Sequence, residues 1–269
     1  MDSPNVILPG IELNLLIEQL TQYFVASLRM SAFMIAAPFF GTRYVMPQVR
    51  IILGMVLTVL IATITPLPDS ELIGSPMGIA LIFKEIAIGL SAGMIMNIWF
   101  SSVGLAGEKI AATSGLGFAA QVDPDSGGQT PVISQLLTLF LIVSFLALDG
   151  HLVIIAMMMR SFELSPIDQI PSLAVFIEGG IAAAGWMFLA ASMIMLPIAA
   201  LMLMINVSIG VITRSAPQLN LFSFGFPISM IGIFIILFMS TSVLGYAFTD
   251  LIEATLGDIE SLLGGLANG

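Results

Sequence analysis

The chain has no cysteine, a single histidine and only seven lysines and arginines in 269 residues, and each shortage removes a kind of chemistry. Without cysteine there are no disulfides, no thiolate metal sites and no cysteine nucleophile. The one histidine, His151 beside Asp149, cannot build a zinc site with thiolates the chain lacks. It is expected instead to be a satisfied histidine at a helix end. Against seventeen aspartates and glutamates the few cations leave a formal charge of −10, with no basic patch to hold phosphates, so a nucleic-acid partner is excluded. The opening residues Met-Asp-Ser-Pro-Asn carry no positive n-region, so the first apolar run is not a cleavable signal by pattern and is expected to stay in the mature chain.

What the chain does have is apolar sequence. Hydrophobic residues make up 58% and charged residues 9%, with a mean hydropathy of +1.09, which indicates a membrane protein. Apolar runs fall at about residues 14–41, 44–65, 77–107, 131–159, 173–213 and 221–249, each long enough for the roughly 20 residues that cross a bilayer. The expected fold is an all-α membrane protein of about six long, partly kinked helical segments. The third and fifth runs exceed one straight span and the fifth contains Pro197, so these helices are expected to be tilted, kinked or protruding. Arg43, Arg50, Lys109 and Arg214 fall on one side of a six-span alternation. Arg160, Asp69, Glu71, Glu163, Asp168, Glu178 and the acidic tail fall on the other, which places both termini outside the cytoplasm.

No linker or short-period repeat divides the chain, so residues 1–269 read as one membrane domain. Within it, 1–170 holds four segments and the longest polar break, at about 110–130. Residues 173–249 read as a helical hairpin, and 250–269 as an acidic amphipathic tail. In that tail Ile252, Leu256, Ile259 and Leu263 recur at helical spacing, while Asp250, Glu253, Asp258 and Glu260 occupy other positions. A frayed terminus and a helix seeking a partner groove are the two alternatives for it.

Several motifs suggest chemistry and do not carry it. Gly89-Leu90-Ser91-Ala92-Gly93 matches a nucleophile elbow, with Asp149 and His151 as imagined partners. The elbow needs a strained strand-to-helix turn, whereas this copy lies inside an apolar helical run. An intramembrane serine hydrolase is therefore the least favoured reading. Lys84 follows Phe83 and Lys109 follows Glu108, so neither ends a P-loop. Asp123, Asp125 and Ser126 hint at a calcium loop, but Ser134 stands where its bidentate glutamate belongs. No catalytic, cofactor-binding or metal-binding residue is assigned, and no enzyme activity is expected. The eighteen methionines are read as core filling.

Charge inside apolar sequence is the stronger clue. Arg29, Lys84, Glu85, Glu108 and Lys109 lie within or against apolar runs, where a central basic residue costs about 2.5–3.5 kcal/mol on insertion scales. Each needs a partner. Lys84 and Glu85 are neighbours that leave a helix in different directions, so they are expected to pair with other segments or subunits rather than with one another. Gly89, Gly93, Asn97 and Ser101 recur every four residues and form a packing seam on one helix face. Between two long runs, Pro217 and Pro227 interrupt helices, while Gln218 and Asn220 carry amides that need partners in lipid. Between Lys109 and Pro131, Gly115, Gly117, Gly127 and Gly128 loosen a stretch in which Leu116, Phe118 and Val122 stay apolar. A loop of that kind suits pore closure, with a simple interhelical loop as the alternative.

The stretch Arg-Ser-Ala-Pro-Gln-Leu-Asn-Leu-Phe-Ser-Phe-Gly-Phe-Pro from Arg214 resembles the FliR family of type III export-gate subunits. So do Arg29, Ala37-Pro38-Phe39-Phe40-Gly41 and Pro47-Gln48-Val49-Arg50. Gly107-Glu108-Lys109, Gly115-Leu116-Gly117-Phe118-Ala119, Asp123-Pro124 and Gly150-His151 follow in the family's order, over roughly residues 14–249. The resemblance implies a plug formed by Gly115, Leu116, Gly117, Phe118, Ala119, Ala120, Gln121, Val122 and Asp123. It implies a FliP-like part at 1–170 fused to a FliQ-like hairpin at 173–249. FliP-like and FliQ-like sister subunits and an FlhB-like switch protein are the implied partners, unfolded flagellar proteins the cargo, and the inner membrane at the flagellar basal body the location. Arg29, Lys84, Glu85, Glu108, Lys109, Pro217, Gln218 and Asn220 are the candidate assembly contacts. The alternative is a self-contained ion or small-solute transporter in which Glu85, Glu108 and Asp149 form a charge pathway.

Overall fold

The computed structural model describes residues 13–41, 45–63, 73–115, 132–167, 172–216, 218 and 224–268. Among them every strand-length or longer regular element is a helix: α1 (Leu13–Ala36), α2 (Pro47–Ala62), α3 (Pro76–Thr113), α4 (Val132–Ala147), α5 (Gly150–Leu164), α6 (Leu173–Ser215), α7 (Phe226–Met239) and α8 (Thr241–Asn268). Prolines open α2 and α7, where the missing N–H falls among donors that have no intrahelical acceptor anyway. Pro197 does not end α6, which passes through it as one 43-residue element.

By length and composition, α3 and α6 are long and apolar enough to cross a membrane, and the count rises to four if the bent pairs α4–α5 and α7–α8 are each one span. At 1.5 Å per residue, α3 with 38 residues and α6 with 43 extend about 57 and 65 Å, against roughly 30 Å of hydrocarbon. The fold is that of an all-α membrane protein. All six apolar runs are mostly helical where described, the first ending in a turn at 37–41, and two of them are broken. The first break is a 67° bend between α4 and α5. There Asp149 takes a left-handed backbone, φ 55°, which aspartate tolerates better than most residues. A Cβ on the next residue, Gly150, would lie 2.4 Å from the Phe145 ring, so only glycine lets α5 leave α4 at this angle. The second is a 63° bend between α7 and α8 at Ser240, where Thr241 Oγ1 donates back to the Phe238 carbonyl at 2.8 Å.

The chain forms two compact units. One comprises Met1–Asn97, Val153–Gly180 and Asp258–Gly269; the other comprises Ile98–Leu152 and Ile181–Gly257. In the first, Met30, Phe33, Ile88, Met158, Phe162 and Ile259 are fully buried. In the second, Phe100 meets Phe145 edge-on at 5.5 Å, and Val103, Ile110, Leu137, Leu141 and Met202 are buried. α8 runs unbroken through residue 250, so the acidic tail continues the last apolar run. Its buried stripe of Phe248, Leu251, Ile252, Thr255, Ile259, Leu262, Leu263 and Leu266 recurs every three or four residues, and Leu256 is half-buried beside it. Packing in the first unit is tight at two glycines: Cβ atoms on Gly179 and Gly265 would lie 3.1 Å from the Leu262 side chain and 3.2 Å from that of Val175. The tail is thus a packed helix of this chain.

Candidate functional site

In the first unit the intramembrane charges form a closed network. α1 carries Arg29, α3 carries Lys84 and Glu85, and α5 leads into Ser165 and Pro166. Arg29 Nε and Nη2 donate to the two oxygens of Glu85 at 2.8 and 2.9 Å, a forked pair with both side chains wholly buried. Nη1 donates to Ser161 Oγ at 3.0 Å and Nη2 to the Ser165 carbonyl at 2.9 Å. The guanidinium carbon sits 4.0 Å from the centroid of the Phe162 ring, a cation–π contact. Lys84 Nζ donates to the Pro166 carbonyl and lies 3.1 Å from Glu85 Oε1.

One sequence expectation changes here. Lys84 and Glu85 do meet, because the lysine ammonium rides on a flexible four-carbon stem that reaches back to its neighbour. Arg29 and Glu85 pair across segments as expected, and Lys84 finds its partners in Glu85 on its own helix and in the turn after α5, so all three are satisfied within this chain. Bringing such ions out of water is costly, and only this density of bonds offsets it.

The small residues of α3 sit where backbones approach most closely. A Cβ on Gly89 would lie 2.0 Å from the Arg29 carbonyl oxygen, and one on Gly93 would lie 2.6 Å from Ala36 Cβ. Asn97 Nδ2 donates to the Ala36 carbonyl at 3.5 Å. α1 is therefore held in register with α3 on the same stretch that carries Glu85. Ser101 lies in the second unit and is exposed. There α3 meets α4: Ser134 Oγ donates to the Gly104 carbonyl at 2.9 Å, and a Cβ on Gly107 would lie 2.5 Å from Ser134 Cα.

At the end of α3 the second unit holds a neutral bracket. Asn206 Nδ2 donates to the Thr113 carbonyl at 2.9 Å, and its Oδ1 accepts from Ser229 Oγ at 3.1 Å, so one amide ties α6 to both α3 and α7. These residues line a cavity of about 400 Å³ together with Gly115 and Phe226. Gly115 ends α3 with φ 78°, and a Cβ there would lie 2.5 Å from Phe226 Cε1, so backbone conformation and space both demand glycine. Asn206 was missed in the sequence reading, although a lone amide inside the fifth apolar run was a signal that something must bond it.

Gly115 is the only one of the nine plug candidates among the described residues; Leu116, Gly117, Phe118, Ala119, Ala120, Gln121, Val122 and Asp123 lie outside them, as do Pro217 and Asn220. Gln218 is described and exposed, and Glu108 and Lys109 are exposed on α3. Ser91 sits inside α3 with Oγ donating to the Ile88 carbonyl at 3.0 Å, in the helical setting that does not present an elbow nucleophile. His151 Nδ1 is buried with no hydrogen-bond partner among the described residues, which corrects the expected satisfied histidine. Of the carboxylates in the transporter alternative, Glu85 is committed to two cations, while Glu108 and Asp149 are exposed in the other unit.

Long apolar helices, an ion network satisfied within the chain and a polar bracket beside a cavity define a helical membrane protein. A family model described as "Bacterial export proteins, family 1" matches residues 20–255. The chain is 34% identical over 215 residues to the flagellar biosynthetic protein FliR of Pectobacterium carotovorum subsp. carotovorum, covering 80% of this chain and 82% of that protein. It is 33% identical over 211 residues to the protein of the same name from Escherichia coli (strain K12), covering 78% and 80%. With that of Bacillus subtilis (strain 168) the identity is 28% over 258 residues, covering 93% and 98%. The chain belongs to this bacterial export family. It is a membrane-embedded component of the flagellar type III export apparatus and acts with other export components.

Proposed function

We propose that the chain is a subunit of the flagellar type III export gate, which forms and closes the channel through which unfolded flagellar proteins leave the cell. The observation that carries this is the family match across residues 20–255, which takes in every helix used above in whole or in part. In this reading the chain sits in the bacterial inner membrane at the flagellar basal body and carries out no covalent chemistry. FliP-like and FliQ-like subunits and an FlhB-like switch protein surround it. Residues 1–170 act as its FliP-like part and 173–249 as its FliQ-like hairpin.

The plug is assigned to residues 115–123. Support comes from the abrupt end of α3 at Gly115, beside the cavity lined by Asn206 and Phe226, which gives the plug a defined starting point. With the buried ions satisfied internally, assembly contacts fall to the exposed Glu108 and Lys109 on α3 and the exposed Gln218, and we assign Pro217 and Asn220, which lie outside the described residues, to the same contact by sequence alone. Deleting residues 115–123 in the assembled complex is expected to raise ion conductance across the membrane while intact complex is still recovered. Unchanged conductance removes the plug assignment, and loss of conductance control only through failed assembly would reassign the segment to structure.

A further inference from the structure

A second surface of the chain has a composition unlike the lipid-compatible faces around it. In the second unit, α3, α6 and α8 enclose a cleft of about 460 Å³ whose walls include Trp99, Trp186, Tyr246 and Asp250. The two tryptophans stack nearly parallel, 15° apart with centroids 6.4 Å from one another. Trp99 is the buried floor, 5% exposed, while Trp186 is 48% exposed and Tyr246 is 75% exposed. Asp250 is exposed, and its carboxylate makes no hydrogen bond or ion pair among the described residues. The remaining lining residues are aliphatic, Met193 and Ile194 among them.

A lone carboxylate at the edge of an aromatic, apolar cleft is complementary to one chemical group: a cation on an apolar stem. Ring faces attract cations, tryptophan most strongly, and the attraction grows as water is excluded. Two sources bring such a group, an ammonium-bearing phospholipid and a basic side chain of a protein. The phospholipid also brings a phosphate, and among the described residues no lysine or arginine lines the cleft to receive it. The protein side chain brings no such conflict. Between the two basic residues, arginine fits better, because its planar, weakly hydrated guanidinium stacks on indole while forking onto a carboxylate.

We propose that this cleft receives an arginine from a helix of another export component, held between the Trp186 and Tyr246 rings and the Asp250 carboxylate. The proposal rests on the chain acting within the export apparatus, and names a contact of that assembly. It is tested in cells that assemble the native complex, with a photoreactive benzoylphenylalanine in place of Tyr246. Irradiation, mild detergent extraction and mass spectrometry then identify the attached peptide. The expected adduct is a segment of another export component with an arginine within about one helical turn of the attachment point. Asp250→Asn should lower its yield at least about tenfold, the scale of close charge-pair coupling at interfaces. Asp250→Arg combined with aspartate at the partner arginine should restore complex recovery lost in either single change.

Adducts to lipid alone, to this chain itself or to a peptide without arginine overturn the proposal while leaving the complex intact. So does an adduct yield indifferent to Asp250→Asn. If the unmodified chain extracts without any export component, the assembly reading beneath it falls as well, and the two failures are distinguishable.

Discussion

Arg29 and Glu85 meet with both side chains wholly buried, whereas Asn206 spans Thr113 and Ser229 beside an open cavity. Both arrangements satisfy polar groups that interrupt apolar helices, but with different stakes. The ionic network is tied by four arginine hydrogen bonds, a lysine and a ring face, and removal of the shared Glu85 carboxylate leaves two cations stranded away from water. The amide bracket is neutral and partly solvated, so its loss strands only dipoles. The first unit thus carries the fixed frame. The second keeps a joint of modest strength at the place where α3 gives way to the proposed plug.

The contrast can be broken most forcefully at Glu85. Glu85→Ala leaves Arg29 and Lys84 buried without their carboxylate and is expected to cost about 3–5 kcal/mol, measured by denaturant unfolding of the detergent-solubilised chain followed by circular dichroism. A change below about 1 kcal/mol would show that the ions are hydrated and the frame is not ionic. Gly89→Ala probes the same frame through shape alone. Its Cβ would press on the Arg29 carbonyl oxygen, so a loss of about 1–3 kcal/mol is expected, while Gly180→Ala, with nothing within 4 Å, should be neutral or slightly stabilising in the same assay.

In the other unit the effects should be smaller. Gly115→Ala is expected to cost about 1–2 kcal/mol from its left-handed backbone, with a further loss if the Phe226 ring cannot retreat. Asn206→Leu is expected to cost about 0.5–1.5 kcal/mol and to raise amide exchange selectively at the end of α3, read by mass spectrometry. Should Asn206→Leu destabilise as much as Glu85→Ala, the distinction between frame and joint would be wrong.

The six apolar runs made the helices legible, because length and hydropathy alone demand that backbone groups bond within a segment. The breaks in two of those runs were not legible. Ser240 is an ordinary residue within an apolar pattern, and Asp149 drew notice for its carboxylate rather than for its backbone. Spacing placed Gly89, Gly93 and Asn97 on one face but could not say which helix they would meet. Similarly, Arg29 and Glu85 were marked as needing partners, while their pairing across 56 residues depends on how α1 folds back along α3. The Lys84–Glu85 contact was missed because helix geometry fixes the direction of Cβ, not the end of a long side chain. The tail's apolar periodicity was plain, but whether it would find its groove in its own chain required coordinates.

The indole pair has a practical corollary. Trp99 and Trp186 are the only two tryptophans in the chain, and they lie against one another. Intrinsic fluorescence of the protein therefore reports almost entirely on one spot, where α3 passes α6. Emission wavelength and quenching would follow the occupancy and wetting of that spot during extraction, reconstitution or export, with no dye attached.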